Sequence, residues 1–126
     1  MRDMKLRKQL VSIACECARL CLKYSEGPQP LEAIEAAESW LKGEATIEEV
    51  KACAISSAHF ATDIGYSAFC ATAYSAYNAA YTVYTDDPID SARRAIDSCA
   101  FANREETLKT CATIIDKHGF RLLPNA

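Results

Sequence analysis

The sequence predicts an all-α protein, a compact single-domain bundle of about six helices with short loops and a packed C-terminal tail. Three observations support this fold class. Apolar residues recur at spacings of three and four in successive segments, which is the period of a helix with one buried face. Proline, glycine and capping residues separate these segments. The 126-residue chain is 50% hydrophobic with more alanine than leucine or isoleucine, so we expect one domain, residues 1–126, in which helix backbones pack closely.

The first predicted helix ends before Gly27 and has one apolar stripe, with its charged residues largely outside that stripe. The stripe consists of Leu6, Leu10, Ile13, Cys17, Cys21 and Tyr24, and the charged residues are Arg7, Glu16, Arg19 and Lys23.

The second predicted helix, from Pro28 to Gly43, has the clearest signals of the chain. Proline donates no backbone N–H and therefore suits the start of a helix, and Gly43 can adopt the positive φ that ends one. Glu38 can pair with Lys42 four residues later. The predicted buried face is Leu31, Ile34, Ala37 and Leu41, with Trp40 at its border.

The third and fourth predicted helices are separated by a break. Thr46 with Glu49 three residues later is a capping box, so the third helix begins there and runs to about Phe60. Aspartate and glycine within residues 63–65 favour a kink or a short break, because aspartate can cap a new helix and glycine weakens a helix interior. The fourth helix, residues 66–84, is expected to be the central one.

Capping residues also mark the fifth and sixth predicted helices. Asp87 before a proline begins the fifth helix, Asn103 with a glutamate three residues later begins the sixth, and Gly119 ends it. The tail after Gly119 contains several apolar residues, so we expect it to fold back onto the bundle. The predicted buried faces are Ile89, Ala92, Ile96 and Cys99 in the fifth helix, and Leu108, Cys111 and Ile115 in the sixth.

Composition argues against several classes of protein. The formal charge is -3 and the only basic run is at the N-terminus, which argues against nucleic-acid binding. No apolar run approaches the roughly 20 residues of a membrane span, and no signal-peptide cleavage pattern follows the N-terminal positive charges. The seven cysteines are odd in number and lie in helical patterns, which indicates reduced thiols. We therefore expect a cytoplasmic protein that binds neither nucleic acid nor membrane.

The sequence also argues against an enzyme. Cys15, Cys17 and Cys21 lack the spacing of a structural zinc site, and no histidine stands near a cysteine pair. His59 is interpreted as a partly buried helix residue and His118 as a residue suited to a last helical turn. The four glycines are isolated, so no phosphate-binding loop is present. We expect no catalytic residue, no metal and no cofactor.

Two sets of residues are candidates for binding a partner protein. The stripe of tyrosines in the fourth helix has the spacing of a core face, which favours core packing, but tyrosine-rich faces also form interfaces. The glutamates of the second helix, its loop and the start of the third helix could share one surface and attract a basic partner. The candidates are Tyr74, Tyr77, Tyr81 and Tyr84, and Glu32, Glu35, Glu38, Glu44, Glu48 and Glu49.

Several segments in roughly the first two thirds of the chain carry a family resemblance: Cys17-Ala18-Arg19, the segment from Pro28 to Glu44, Val50-Lys51, Ala58-His59 and Ala71-Thr72-Ala73. In these segments the chain resembles the Imm5-like family of bacterial immunity proteins, which implies a small helical antitoxin that neutralises a toxin by binding it. The family's central helix is rich in histidine and its second helix in arginine, where this chain has tyrosine and glutamate.

The expected function is therefore that of a non-catalytic inhibitor that occludes the surface of a basic protein partner, as a monomer or homodimer. A phage-encoded inhibitor of a host defence system, such as an anti-CRISPR protein, has the same sequence characteristics and is the first alternative. A helical ligand-binding domain, or a self-assembling protein with a tyrosine interface, is the second alternative.

Overall fold

The computed structural model describes residues 4–24, 27–64, 68–100 and 104–119. These residues form six α-helices packed against one another and a short 3₁₀ helix, with no β-strand among them. The predicted all-α bundle is therefore confirmed, while the cap at Asn103 and the tail after Gly119 lie outside the described residues. The elements are α1 (Met4–Arg19), the 3₁₀ helix (Leu22–Tyr24), α2 (Gln29–Leu41), α3 (Ile47–Ile64), α4 (Ala68–Tyr81), α5 (Pro88–Cys99) and α6 (Arg104–Lys117).

Local interactions bound several helices where the sequence predicts them, but α1 ends at Arg19 before the 3₁₀ helix, α3 runs to Ile64 rather than to about Phe60, and α4 ends at Tyr81 rather than at Tyr84. The N–H of Thr46 donates to the Glu49 carboxylate at 2.8 Å, and the N–H of Glu49 donates to the Thr46 hydroxyl at 3.2 Å, which completes the capping box. Asp87 accepts a backbone N–H from the first turn of α5 at 3.1 Å. Gly43 and Gly119 have φ angles of 77° and 79°, which L side chains rarely adopt. The boundaries at Gly43, Thr46, Asp87 and Gly119 are therefore encoded locally.

Helix α4 lies at the centre of the bundle and packs against α1, α2, α3 and α5. Its small side chains allow hydroxyl groups to reach the backbone of neighbouring helices: Ser57 donates to the Ala73 carbonyl at 2.8 Å, and Ser75 donates to the Ala95 carbonyl at 2.6 Å. The predicted close packing of helix backbones is therefore confirmed. Among residues 71–81 of α4, the buried ones are Thr72, Ala73, Ser75, Ala76, Asn78, Ala79 and Ala80.

A second, smaller core lies between α1, α5 and α6. It is formed by one apolar residue and one thiol from α1, an isoleucine from α5 and a thiol from α6. These residues are Ile13, Cys17, Ile96 and Cys111, with the half-buried Leu20, Leu108, Ile114 and Ile115 packed against them.

Two residues predicted to be buried are instead exposed. Leu31 is 37% exposed, because the buried face of α2 is centred on Pro30, Ala33, Ile34 and Ala37. Small residues bring that face close to the neighbouring helices, so the larger Leu31 lies at its edge. In α5, a face that includes a serine and two alanines is buried in the same way, and Ile89 is 44% exposed. In each case tertiary packing favours the smaller side chains of the helix.

Arg7 was predicted outside the apolar stripe of α1, but it is only 5% exposed. Its Nη1 donates to the carbonyl oxygens of Thr82 at 3.0 Å and Val83 at 3.2 Å. These carbonyls follow the last residue of α4. Carbonyl groups at the end of a helix lack N–H donors from a following turn, and the helix dipole favours a positive charge there. Arg7 therefore caps the C-terminus of the central helix from another element.

The C-terminus of α6 is held against α1 by one carboxylate. Glu16 binds Lys117 Nζ at 2.5 Å and His118 Nε2 at 2.6 Å, and its side chain is 33% exposed. Partial burial acts to raise the pKa of Glu16, but the hydrogen bonds from Lys117 and His118 outweigh this effect and hold the pKa below its usual value.

Because the pKa of Glu16 is lower in the folded chain than in the unfolded chain, its contribution to stability is present above the unfolded value and is lost as pH falls through the folded value. We expect the free energy of unfolding of Glu16→Gln to fall less steeply than that of the wild type between about pH 5 and 3, by at most about 1 kcal/mol, since Lys117 is exposed. Urea unfolding across this range measures the effect. Glu105→Gln, in an exposed pair with Lys109, is the matched control, and equal slopes for wild type and Glu16→Gln would contradict the expectation.

Candidate partner-binding surface

The four predicted tyrosines form an aromatic strip along α4 and the turn that follows it, here called the tyrosine ladder (Tyr74, Tyr77, Tyr81 and Tyr84). The rings of Tyr77 and Tyr81 are stacked, with centroids 5.5 Å apart and an interplanar angle of 11°. The rings of Tyr81 and Tyr84 meet edge to face, with centroids 5.0 Å apart and an angle of 79°. The helical spacing therefore brings these side chains together as one surface feature.

The ladder lies at the border of the core rather than inside it. Tyr74 is 38% exposed, and the other three rings are half-buried. Tyr77 and Tyr84 pack against the main core. Burial, and to a lesser extent the neighbouring tyrosines, raises the pKa of Tyr77 above its usual value. The same two causes raise the pKa of Tyr84 to about 12. Both phenols therefore stay protonated near neutral pH and can donate hydrogen bonds. The helical spacing of the tyrosines favours core packing, but in the structure the ladder lies at the edge of the core.

Helix α3 extends this surface with residues that the sequence interpretation missed. Lys51 Nζ lies 5.3 Å from the centroid of the Tyr84 ring, so α3 and the ladder are in contact. Ile47 and Ile55 lie one turn before and one turn after Lys51, and they are 40% and 51% exposed. The spacing of these isoleucines away from the buried Val50 is a sequence signal that could have identified them.

On its other side the ladder borders a cleft between α4 and α5 with a volume of about 370 Å³. Tyr77 and Tyr81 form its aromatic wall, and Ser91 lies in its buried part, where it donates to a carbonyl of α4 at 2.8 Å. At the rim Asp90 binds Arg94 at 2.8 Å. The ladder thus separates a polar cleft on α5 from an apolar strip on α3.

The six candidate glutamates differ in their exposure and in the groups that contact them. Glu38 is bound by Arg19 of α1 in a bidentate pair, at 2.8 and 2.6 Å, and not by Lys42 as predicted. The planar guanidinium matches both carboxylate oxygens, which favours this partner over a flexible lysine on the same helix. Glu49 is engaged in the capping box. The exposed glutamates are Glu32, Glu35, Glu44, Glu48 and Glu49.

Acids from α2 and α3 share one surface, as the antiparallel arrangement predicted. The half-buried Cys53 lies near both helices' glutamates: burial raises the pKa of its thiol, and the charges of Glu32 and Glu49 raise it further. These glutamates, with Glu48 on the first turn of α3, form the acidic edge of the protein. Helix α3 therefore carries part of the acidic edge and part of the surface around the tyrosine ladder.

The histidines do not join this surface through any contact found in the structure. His59 is exposed on α3 rather than partly buried as expected, and His118 is bound to Glu16. Among the described residues, no group of three or more histidine, cysteine, aspartate or glutamate side chains is arranged to hold a metal ion. Within the same parts of the chain, none of the helices combines the length and apolar character needed to cross a bilayer.

Comparison with protein-family models, with curated proteins and with solved structures finds no match to this chain. Function is therefore inferred from the residues of the surface: an aromatic ladder, exposed isoleucines beside it, and an acidic edge on the adjoining helices.

Proposed function

We propose that this protein is a non-catalytic inhibitory binding protein of the immunity type, which neutralises a partner protein by covering its surface. The observation that carries the proposal is the partly exposed tyrosine ladder beside the exposed Ile47 and Ile55. Tyrosine is enriched among the residues that dominate binding energy at protein interfaces, and exposed apolar side chains next to it add contact area.

The ladder is suited to binding because its rings are held in place before a partner arrives. Tyr81 stacks on Tyr77 and meets Tyr84 edge to face, so little side-chain freedom remains to be lost on association. The scaffold beneath it is α4, which is held against α3 by the hydrogen bond from Ser57 and against α5 by the hydrogen bond from Ser75. A preformed surface of this kind supports occlusion without a conformational change.

The acidic edge supports a basic partner. Its members Glu32, Glu48 and Glu49 are exposed on α2 and at the start of α3, and the net charge of the chain is -3. Charges of one sign at the rim of an interface accelerate association with an oppositely charged protein and make it sensitive to salt. A basic nuclease, or a nucleoprotein effector with a basic channel, has the charge that this edge would attract.

Replacing Tyr81 with alanine is the test of this proposal. Affinity capture from the source cell with mass spectrometry first identifies the partner of the wild type, and calorimetry then compares the variants. We expect Tyr81→Ala to lose at least about 2 kcal/mol of binding free energy, roughly a 30-fold weaker Kd, because it removes the central ring of the ladder. Its thermal unfolding should stay close to that of the wild type, since the ring is half-exposed.

Tyr24→Ala is the matched control, because Tyr24 is also half-buried but lies in the 3₁₀ helix after α1. Equal losses of affinity in the two variants would count against the ladder as the binding surface. A toxin as the captured partner supports the immunity role, whereas a defence effector supports the phage inhibitor. If the only partner is a second copy of the chain, as light scattering would show, the ladder is a homodimer interface and the inhibitor proposal is wrong.

A further inference from the structure

Four buried cysteines contact one another in and beside the smaller core, and we call them the thiol cluster (Cys17, Cys21, Cys99 and Cys111). Cys111 of α6 lies within hydrogen-bonding distance of the thiols of Cys17 and Cys99, and Cys99 in turn contacts the thiol of Cys21. The Cys99 thiol also donates to the Cys17 carbonyl at 2.8 Å. The contacts form a chain of pairs, so each thiol has another thiol as a neighbour.

Within this chain the pKa is lowered at two thiols, Cys21 and Cys111, and of these two Cys111 lines a groove between α5 and α6. Hydrogen bonds from Cys17 and then from Cys99 lower the pKa of Cys111, against the opposing effect of burial. The same contact with Cys111, together with burial, raises the pKa of Cys17. Cys111 is the reactive member because it lines that groove and its lowered pKa favours the nucleophilic thiolate, and Cys17 is the neighbouring thiol in the same buried cluster.

A groove gives small molecules a route to Cys111. It lies between α5 and α6, has a volume of about 470 Å³, and is lined by apolar side chains that include Ile96, Leu108 and Ile115. Cys111 is part of its wall but only 1% exposed, and it is the only fully buried side chain among residues 105–119. A helix held by so little buried surface opens more readily than the central helices, which admits a small neutral reactant.

We propose that the thiol cluster is a peroxide-sensitive site, at which hydrogen peroxide oxidises Cys111 and a disulfide to Cys17 then links α6 to α1. In the first step the Cys111 thiolate attacks one peroxide oxygen, the O–O bond breaks, and hydroxide leaves and takes up a proton to become water. The sulfur is oxidised to a sulfenic acid. In the second step the Cys17 sulfur attacks the Cys111 sulfur, the S–O bond breaks, and the hydroxyl group leaves with the Cys17 proton as water.

Cys17 is the resolving partner because its thiol hydrogen-bonds with Cys111 and both side chains belong to the same packed cluster. The Cys99 thiol, by contrast, shares its one proton between the Cys111 sulfur and the Cys17 carbonyl. Overall, two thiols and one peroxide give one disulfide and two waters. The site requires no other reactant.

Cys53 provides a direct comparison between accessibility and reactivity. It is half-buried and so more accessible than Cys111, but burial and two nearby glutamates raise the pKa of its thiol. If accessibility governed oxidation, Cys53 would react first. The cluster instead predicts that Cys111 reacts first.

The experiment treats the reduced, folded, full-length protein with hydrogen peroxide, blocks the remaining thiols with iodoacetamide, and maps tryptic peptides without reduction. We expect the loss of two thiols and a cross-link between peptides 9–19 and 110–117, reversed by dithiothreitol. Fragmentation distinguishes Cys17 from Cys15 in the first peptide. In Cys111→Ser this cross-link is absent and peroxide consumption is at least about tenfold slower, because the thiolate is gone. Cys53→Ser should react like the wild type.

A second variant keeps the test independent of folding. In the double variant Cys17→Ser/Cys99→Ser the sulfenic acid on Cys111 has lost both neighbouring thiols, so dimedone should label Cys111 while circular dichroism reports a helical protein. Three outcomes would overturn the proposal: first labelling at Cys53 with the cluster still reduced, over-oxidation of Cys111 without a disulfide in the wild type, or a cluster that stays reduced in excess peroxide.

Discussion

Replacing Arg7 with leucine is expected to lower the free energy of unfolding by about 3 kcal/mol, since a hydrogen bond from a charged group contributes roughly 1.5–3 kcal/mol and Arg7 reaches two carbonyls. The Thr82 and Val83 carbonyls lie just past the end of α4, and both residues are buried. Leucine offers no donor, so these acceptors would lose the guanidinium without gaining water. The loss falls on the central helix, against which four other helices pack.

Urea unfolding followed by circular dichroism measures this change, with Lys8→Leu as the matched control. Lys8 is the next residue of α1 and is exposed, so the same substitution there should change stability by less than about 0.5 kcal/mol. Arg7→Lys should recover only part of the loss, because lysine keeps the charge but not the planar arrangement of donors. If Arg7→Leu and Lys8→Leu unfold at the same urea concentration, the capping role of Arg7 is wrong.

Arg7 also shows why parts of the fold were not predictable from the sequence. Its role depends on a segment 75 residues away, and in α1 alone it looks like a charged residue beside an apolar stripe. The predicted burial of Leu31 and Ile89 is wrong for the same reason, since the neighbouring helices determine which face of each helix is buried. The end of α2 at Gly43 and the start of α3 at Thr46 were predictable, because the positive φ of the glycine and the capping box with Glu49 involve only residues close to the boundary.

The candidate surface divides in the same way. The spacing of the tyrosines on one helix was enough to predict that they lie together, but not that Ala76 and Ala79 would take the buried face of α4 and leave the rings at its border. For Glu38 the sequence predicts a pair with Lys42 on the same helix, whereas Arg19 of another helix binds it in the structure. The thiol cluster joins Cys17 to Cys99, 82 residues apart, and no local pattern in the sequence indicates that pair.

The second large effect is expected at Ala95, where leucine should lower the free energy of unfolding by about 3 kcal/mol, the upper end of the usual cost of overpacking a core. Ala95 is completely buried, and its carbonyl accepts the Ser75 hydroxyl at 2.6 Å. That distance requires the backbones of α4 and α5 to be close, so an isobutyl group has no space unless α5 moves away. Such a movement would also lengthen the hydrogen bond from Ser75.

Ala52→Leu is the matched control, because Ala52 is exposed on α3 and the same side chain there meets solvent. Urea unfolding of the two variants compares a closely packed position with an open one. The difference between their free energies of unfolding should be about 3 kcal/mol. Ala95→Leu as stable as the wild type would mean that α4 and α5 can separate at little cost. The positions of the Tyr77 and Tyr81 rings would then not be fixed by α4 and α5, since the cleft that these rings line lies between the same two helices. A large loss at Ala95 and none at Ala52 would instead tie the geometry of the tyrosine ladder to the small side chains beneath it.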